Sequence, residues 1–230
     1  MSNQSKRIEK TKKIVFIALF CALSYAVSLF FPIKVSFLTL DLKDAISAMC
    51  GLFFGPIAGV ACAVIVPFIE MITTSDTGFY GLIMNILSSV AFVGVSTVIY
   101  RYKKKISGAV TGLLSACAAT VAVMLLANLF ITPFYMGVTT EQVIELIPKL
   151  ILPFNAAKTV LNAGVTMLLY KPMSTVIKKS GAARFLEKGS SSEESPRGNL
   201  GRSLAVTIIS AAVIAGAAVV IFVVLGGRFG

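Results

Sequence analysis

Asn155, Lys158 and Asn162 stand at i, i+3 and i+7, with Thr159 and Thr166 at i+4 and i+11. At about 100° per residue these five share one stripe of a helix. The opposite side of that helix is Ala, Leu, Val and Met. Two carboxamides, two hydroxyls and one ammonium suit a site that grips the polar edge of a ligand. Shorter sets of the same kind are Asn128 and Thr132, followed by Pro133 and Tyr135, and the group Asn85, Ser88 and Ser89. Glu70 adds a carboxylate with Thr73 and Thr74 one turn on. Polar groups at membrane depth are expensive and read first as sites. Each also has a plainer reading. The asparagines serve as interhelical glue, Lys158 snorkels to an interface, and Glu70 is an interfacial carboxylate. The residues alone leave both readings open.

These polar groups are set in a chain built for a bilayer. Of 230 residues, 57% are apolar and 13% are charged, against about 25% charged in soluble domains. No charge falls in 14–33, 45–69, 77–100, 106–140 or 203–227. Such runs approach or exceed the roughly 20 residues that cross a hydrocarbon core. The composition therefore gives an integral membrane protein and excludes a water-soluble enzyme. There is no histidine, hence no His-based nucleophile pair and no His-ligated metal. There is no nucleotide-cradling G-x-x-x-x-G-K-[ST] loop. Cys21, Cys50, Cys62 and Cys117 lie inside apolar runs and read as small buried hydrophobes. Asp41, Asp44, Glu70 and Asp76 show no catalytic spacing, so a membrane enzyme such as a lipid transferase gains no support.

The elements that must position the polar stripes follow from the runs. A first helix is expected over about 13–31, ended by Pro32, then a polar connection from Lys34 to Asp44. Gly55-Pro56, a strong turn signal, splits the next run into helices at about 44–54 and 57–73. A fourth helix covers about 79–100, and a fifth covers about 107–132, ended by Pro133. The loop 134–149 holds a short helix near 141–147. A sixth helix runs over about 152–170 and continues amphipathically towards Lys179. Residues 180–202, rich in Ser, Glu and Gly, read as a flexible linker, and 203–226 as a seventh transmembrane helix. The domain reading is thus a basic N-terminus at 1–12, a substrate-binding membrane domain at 13–179, the linker, and the additional helix. No internal repeat is visible, so an inverted-repeat transporter is not indicated.

Formal net charge is +11, and its placement assigns sides. Sixteen of the 21 basic residues fall in three clusters: 6–13, 101–105 and 171–202. The alternate connections carry Asp41, Asp44, Asp76, Glu141 and Glu145. This is the positive-inside pattern, which expects a cytoplasmic N-terminus in a multi-pass cell-membrane protein and argues against nucleic acid as the partner. The first helix resembles a signal peptide but has no clear A-x-A cleavage site, so it is expected to be retained. In this topology the polar groups cluster towards the outer half, which implies a pocket open to the outside. Ala18, Ala22 and Ala26 repeat every four residues along the first helix. Such a smooth stripe either packs within the bundle or docks another membrane protein.

The chain resembles the substrate-binding S components of energy-coupling-factor (ECF) vitamin transporters, specifically the riboflavin type. The resemblance is carried by Leu38-Thr39-Leu40-Asp41, Phe54-Gly55-Pro56-Ile57-Ala58-Gly59, Met84-Asn85, Asn128 and Leu152-Pro153-Phe154-Asn155-Ala156-Ala157-Lys158. It covers about residues 10–179. It implies an all-α six-helix S-component bundle, to which the seventh C-terminal helix is appended. It implies riboflavin captured from outside as a transported ligand, with no cofactor. It further implies ATP-driven uptake through a membrane coupling protein and two cytoplasmic ATPases. By motif, Asn155, Lys158 and Asn128 contact the flavin, and Leu40 and Asp41 belong to a loop closing over the pocket. Asn85 is carried over less directly. Glu70, Thr132 and Asn162 complete the candidate set from their positions. Ala18, Ala22 and Ala26 match the family's docking surface. An S component for another vitamin, and an autonomous proton-coupled transporter using Glu70 and Lys158, stand as alternatives.

Overall fold

A computed structural model describes residues 3–179, together with Ala211 and Ala215. The expected linker at 180–202 lies outside the described residues. So does the expected seventh helix, apart from those two alanines. Within 3–179 the chain forms α1 (Asn3–Phe30), a hairpin of β1 (Ile33–Val35) and β2 (Leu38–Leu40), α2 (Lys43–Phe54), α3 (Pro56–Thr73), α4 (Gly78–Tyr102) and α5 (Ile106–Met136). Then follow α6 (Thr140–Leu146), a π-helical turn (Ile147–Ile151) and α7 (Leu152–Lys179). Among the described residues, four helices are long and apolar enough to cross a membrane: α1, α3, α4 and α5. The polar stripe of α7 lowers its apolar content, and α2 has only 12 residues. At about 1.5 Å per residue α2 is too short to span.

Glycines set the closest helix approaches. Gly55, at φ 101°, donates its N–H to the Gly51 carbonyl and ends α2, and Pro56 opens α3. The chain thus reverses, and Gly51 faces Gly59 across the α2–α3 crossing. A Cβ on Gly59 would sit 2.7 Å from the Gly51 Cα, and one on Gly51 would sit 2.4 Å from Thr97 Cγ2 of α4. The α2 and α3 backbones therefore meet directly at one pair of glycines, and α4 packs the Thr97 and Val93 side chains onto it. Beside them Phe20, Phe53 and Phe54 pack with Cys21, Cys50 and Cys62 to join α1, α2 and α3. The Cys21 and Cys62 sulfurs lie 3.0 Å apart as free thiols.

Three boundaries differ from expectation. The first helix begins at Asn3 rather than near 13, because the Lys, Arg, Glu and Gln of the basic segment are themselves good helix formers. The fifth helix runs through Pro133 to Met136 and ends at Gly137 in the left-handed region, φ 65°. A proline one turn from a helix end removes a single ladder bond, and the glycine supplies the actual stop. The polar connection after α1 is a two-stranded antiparallel hairpin, pairing Ile33 with Leu40 and Val35 with Leu38. Ser36, at φ 55°, makes its two-residue turn. Val35 and Leu40 bury their side chains against Leu150, Phe154 and Ala157. The hairpin is thereby fastened onto the start of α7.

Candidate functional site

A cavity of about 680 Å3, its mouth included, lies between the hairpin, α4, α5 and α7. Phe37, Leu38 and Thr39 of the hairpin line it. From α4 come Tyr80, Gly81, Met84, Asn85 and Ser88, with Thr77 just before. Spacings of three and four put those α4 residues on one face. From α5 come Met124, Ile131, Thr132 and Tyr135, and from α7 Phe154, Asn155 and Lys158. Tyr80 and Tyr135 meet with ring centroids 6.2 Å apart. The walls are thus largely aromatic and aliphatic, with polar groups from three helices and the hairpin.

The α7 stripe is buried throughout, but its members divide. Asn155 donates Nδ2–H to the Ile151 carbonyl at 2.8 Å, which leaves its Oδ1 without a donor among the described residues. Asn85 makes no hydrogen bond to the described residues, so its amide offers both a donor and an acceptor. Lys158 reaches Asp41 Oδ2 at 3.0 Å and the Thr39 carbonyl at 3.4 Å. Asn162 lies deeper, outside the cavity lining. Its Nδ2 donates to the Asp41 carbonyl at 2.9 Å and the Lys158 carbonyl at 3.0 Å, while its Oδ1 accepts the Ala45 N–H at 2.8 Å. Thr159 and Thr166 return their hydroxyls to carbonyls of their own helix.

Of the expected ligand contacts, Asn85, Thr132, Asn155 and Lys158 line the cavity, and five others do not. Asn128 is fully buried beneath it, donating to the Met124 carbonyl and accepting from Thr132. Leu40 belongs to the apolar contact that anchors the hairpin. Asp41 lies behind Lys158. Glu70 is 2.5 Å from Lys43 Nζ, and Asn162 ties the start of α2 to α7. Ala18 and Ala22 face outward from α1, with Ala26 half-buried.

Sequence reasoning missed Lys43, a cation with 3% of its side chain exposed. It expected a loop at Leu40 and Asp41 to close over the pocket but missed Phe37, Leu38 and Thr39 as the residues that line it, and most of the apolar lining. The face shared by Gly81, Met84, Asn85 and Ser88 was a readable signal for α4. Three buried carboxylates and two buried lysines form one cluster: Asp41, Asp44, Glu70, Lys43 and Lys158. Asp44 accepts the Ser89 hydroxyl at 2.5 Å. Among the described residues no group of histidines, cysteines or carboxylates could hold a metal ion. The arrangement suits binding: an apolar slot, free amide groups and an ammonium already fixed by a carboxylate.

Residues 12–170 match the family described as ECF transporter, substrate-specific component. The chain is 25% identical over 181 residues to the riboflavin transporter RibU of Staphylococcus aureus (strain TCH60), covering 75% of this chain and 95% of that protein. It is 23% identical over 188 residues to the riboflavin transporter FmnP of Bacillus subtilis (strain 168), covering 76% of this chain and 99% of that protein. Its fold is similar to the solved S component of a bacterial ECF transporter. That match has a TM-score of 0.64 at 26% identity, over 74% of this chain and 99% of the other.

Proposed function

The chain belongs to the ECF transporter family of substrate-specific components, and from that premise we propose that it binds riboflavin for uptake. The relatives of this chain are transporter components, not enzymes. The observation that carries the riboflavin reading is the cavity itself. Met84, Phe154 and the tyrosine pair offer apolar faces to a flat ring system. Asn85, Asn155 and Lys158 offer donors and acceptors to a ring edge and a polyhydroxyl chain. Riboflavin has both parts in one molecule. Asn128, Asp41 and Leu40 act from behind the lining by holding Thr132, Lys158 and the hairpin.

Capture takes place from the outer side, with the N-terminus and the basic clusters cytoplasmic. Energy comes from two cytoplasmic ATPases and a membrane coupling protein, the latter docking through the Ala18, Ala22 and Ala26 stripe. An autonomous proton-coupled mechanism through Glu70 and Lys158 is less well supported, because both groups are held in buried ion pairs. The test is a riboflavin titration of the purified chain in detergent, followed by quenching of flavin fluorescence. Saturable binding below micromolar riboflavin is expected. No binding at micromolar flavin would sink the reading, and a competition panel with thiamine and folate would expose a different vitamin.

A further inference from the structure

Behind the cavity wall four buried charges alternate in sign. Lys158 Nζ lies 3.0 Å from Asp41 Oδ2. The same oxygen lies 3.4 Å from Lys43 Nζ, and Lys43 Nζ lies 2.5 Å from Glu70 Oε2. The row runs from α7 through the β2–α2 connection and the start of α2 to α3. None of the four side chains is more than 11% exposed. The other Asp41 oxygen accepts the backbone N–H of Lys43 at 3.3 Å, so the carboxylate cannot swing to offer Lys158 a second site without losing that bond. Asp44, in the first turn of α2 beside Lys43, completes the cluster, with its carboxylate held by Ser89.

Two ammonium groups therefore share one carboxylate oxygen, and Glu70, 2.5 Å from Lys43 Nζ, draws one of them away. We propose that Glu70 and Lys43 are positioning residues for the riboflavin site, holding Asp41 Oδ2 free to fix Lys158 against the ligand. The proposal rests on the reading of the cavity as the riboflavin site. A buried ammonium that loses its carboxylate is strongly destabilised and closes on whatever anion remains. With Glu70 neutral, Asp41 Oδ2 is the carboxylate oxygen already within ion-pair distance of Lys43, at 3.4 Å. Lys43 then displaces Lys158, whose other protein contact is the Thr39 carbonyl at 3.4 Å. Neither Glu70 nor Lys43 lines the cavity. Their influence on affinity has to pass through Asp41 and Lys158, and this separates positioning from general support of the fold.

The experiment is a mutant cycle on the full chain in detergent, read by riboflavin titration. Glu70→Gln is expected to weaken binding about tenfold in the native background and less than about twofold in a Lys158→Met background, since coupled sites are non-additive. Equal losses in the two backgrounds, or no loss in the first, would overturn the proposal. A native chain that binds no riboflavin overturns the site reading, and this proposal with it. Native binding left untouched by Glu70→Gln overturns the proposal alone. A second variant covers a Lys158→Met chain that binds too weakly to read. Exchanging the pair, Lys43→Glu with Glu70→Lys, rebuilds an ion pair but sets a carboxylate against Asp41. The melting temperature is expected to recover relative to Glu70→Gln while affinity stays depressed. Recovery of both would mean a merely structural pair.

Discussion

Asn155 and Asn162 lie two turns apart on one stripe of α7 and do different work. Asn155 uses its amide hydrogens on its own helix and keeps Oδ1 free at the cavity. Asn162 spends both ends on protein, joining α7 to the backbone at Asp41 and Ala45. Asn155→Ala is therefore expected to weaken riboflavin binding about tenfold, with little change in melting temperature. Asn162→Ala loses three bonds at once, and leaving buried polar groups unpaired costs about 1–3 kcal/mol apiece. It should lower the melting temperature by far more than Asn155→Ala does. Flavin titration and thermal unfolding in detergent read the two effects, and identical behaviour of the two variants would erase the division. Helical periodicity made the stripe legible, because it depends only on spacing. It could not say which asparagine faces the cavity, since both are buried and the partners of Asn162 come from 117 and 121 residues away. Lys43 was illegible for a related reason. A lysine flanked by Asp41 and Asp44 reads as part of a water-facing connection until Glu70, 27 residues on, closes over it.

At the scale of elements, charge-free runs located the helices well, because a bilayer excludes charge over a length that the sequence displays. Gly55-Pro56 divided α2 from α3 for equally local reasons. The hairpin was harder to see. Its strands are three residues each, too short for an alternating pattern, and its order comes from Val35 and Leu40 packing on α7. The glycine crossing is likewise tertiary: Gly51, Gly55 and Gly59 look like one helical stripe, and the reversal at Gly55 turns its ends to face each other. This geometry makes a sharp prediction. Gly59→Val must push against the Gly51 backbone, with its Cβ 2.7 Å from that Cα. Overpacking of this kind costs about 1–3 kcal/mol. Gly94→Ala, whose Cβ would meet only Val60 Cγ2 at 3.9 Å, is the matched control. The first variant should melt several degrees lower and the second should not. Equal melting temperatures would show that α2 and α3 part without cost.

Over the whole molecule, two surfaces are kept apart by the same helix bundle. The cavity is built from the hairpin, α4, α5 and α7, whereas α1 packs against α2 and α3. The inner face of α1 carries Phe20, Cys21 and Ser24, the last hydrogen-bonded to the Lys43 carbonyl at 2.8 Å. Its outer face carries Ala18 and Ala22 among the exposed Val15, Leu19 and Leu23. Lipid satisfies an apolar face without needing small residues, so a run of alanines in that face gains something only where another helix comes close. The sequence left open whether the stripe packs inside the bundle, and the outward position of Ala18 and Ala22 argues for a neighbour beyond it. A bulky residue there should spare the cavity and block the neighbour. Ala22→Trp is expected to bind riboflavin within about twofold of the native chain, as distant sites act independently. Uptake by cells that carry the coupling protein and ATPases should fall at least about tenfold, because a large side chain removes the close approach such helix contacts need. Loss of binding in detergent would return the stripe to packing within the bundle. Full uptake with native binding would leave lipid as its only neighbour.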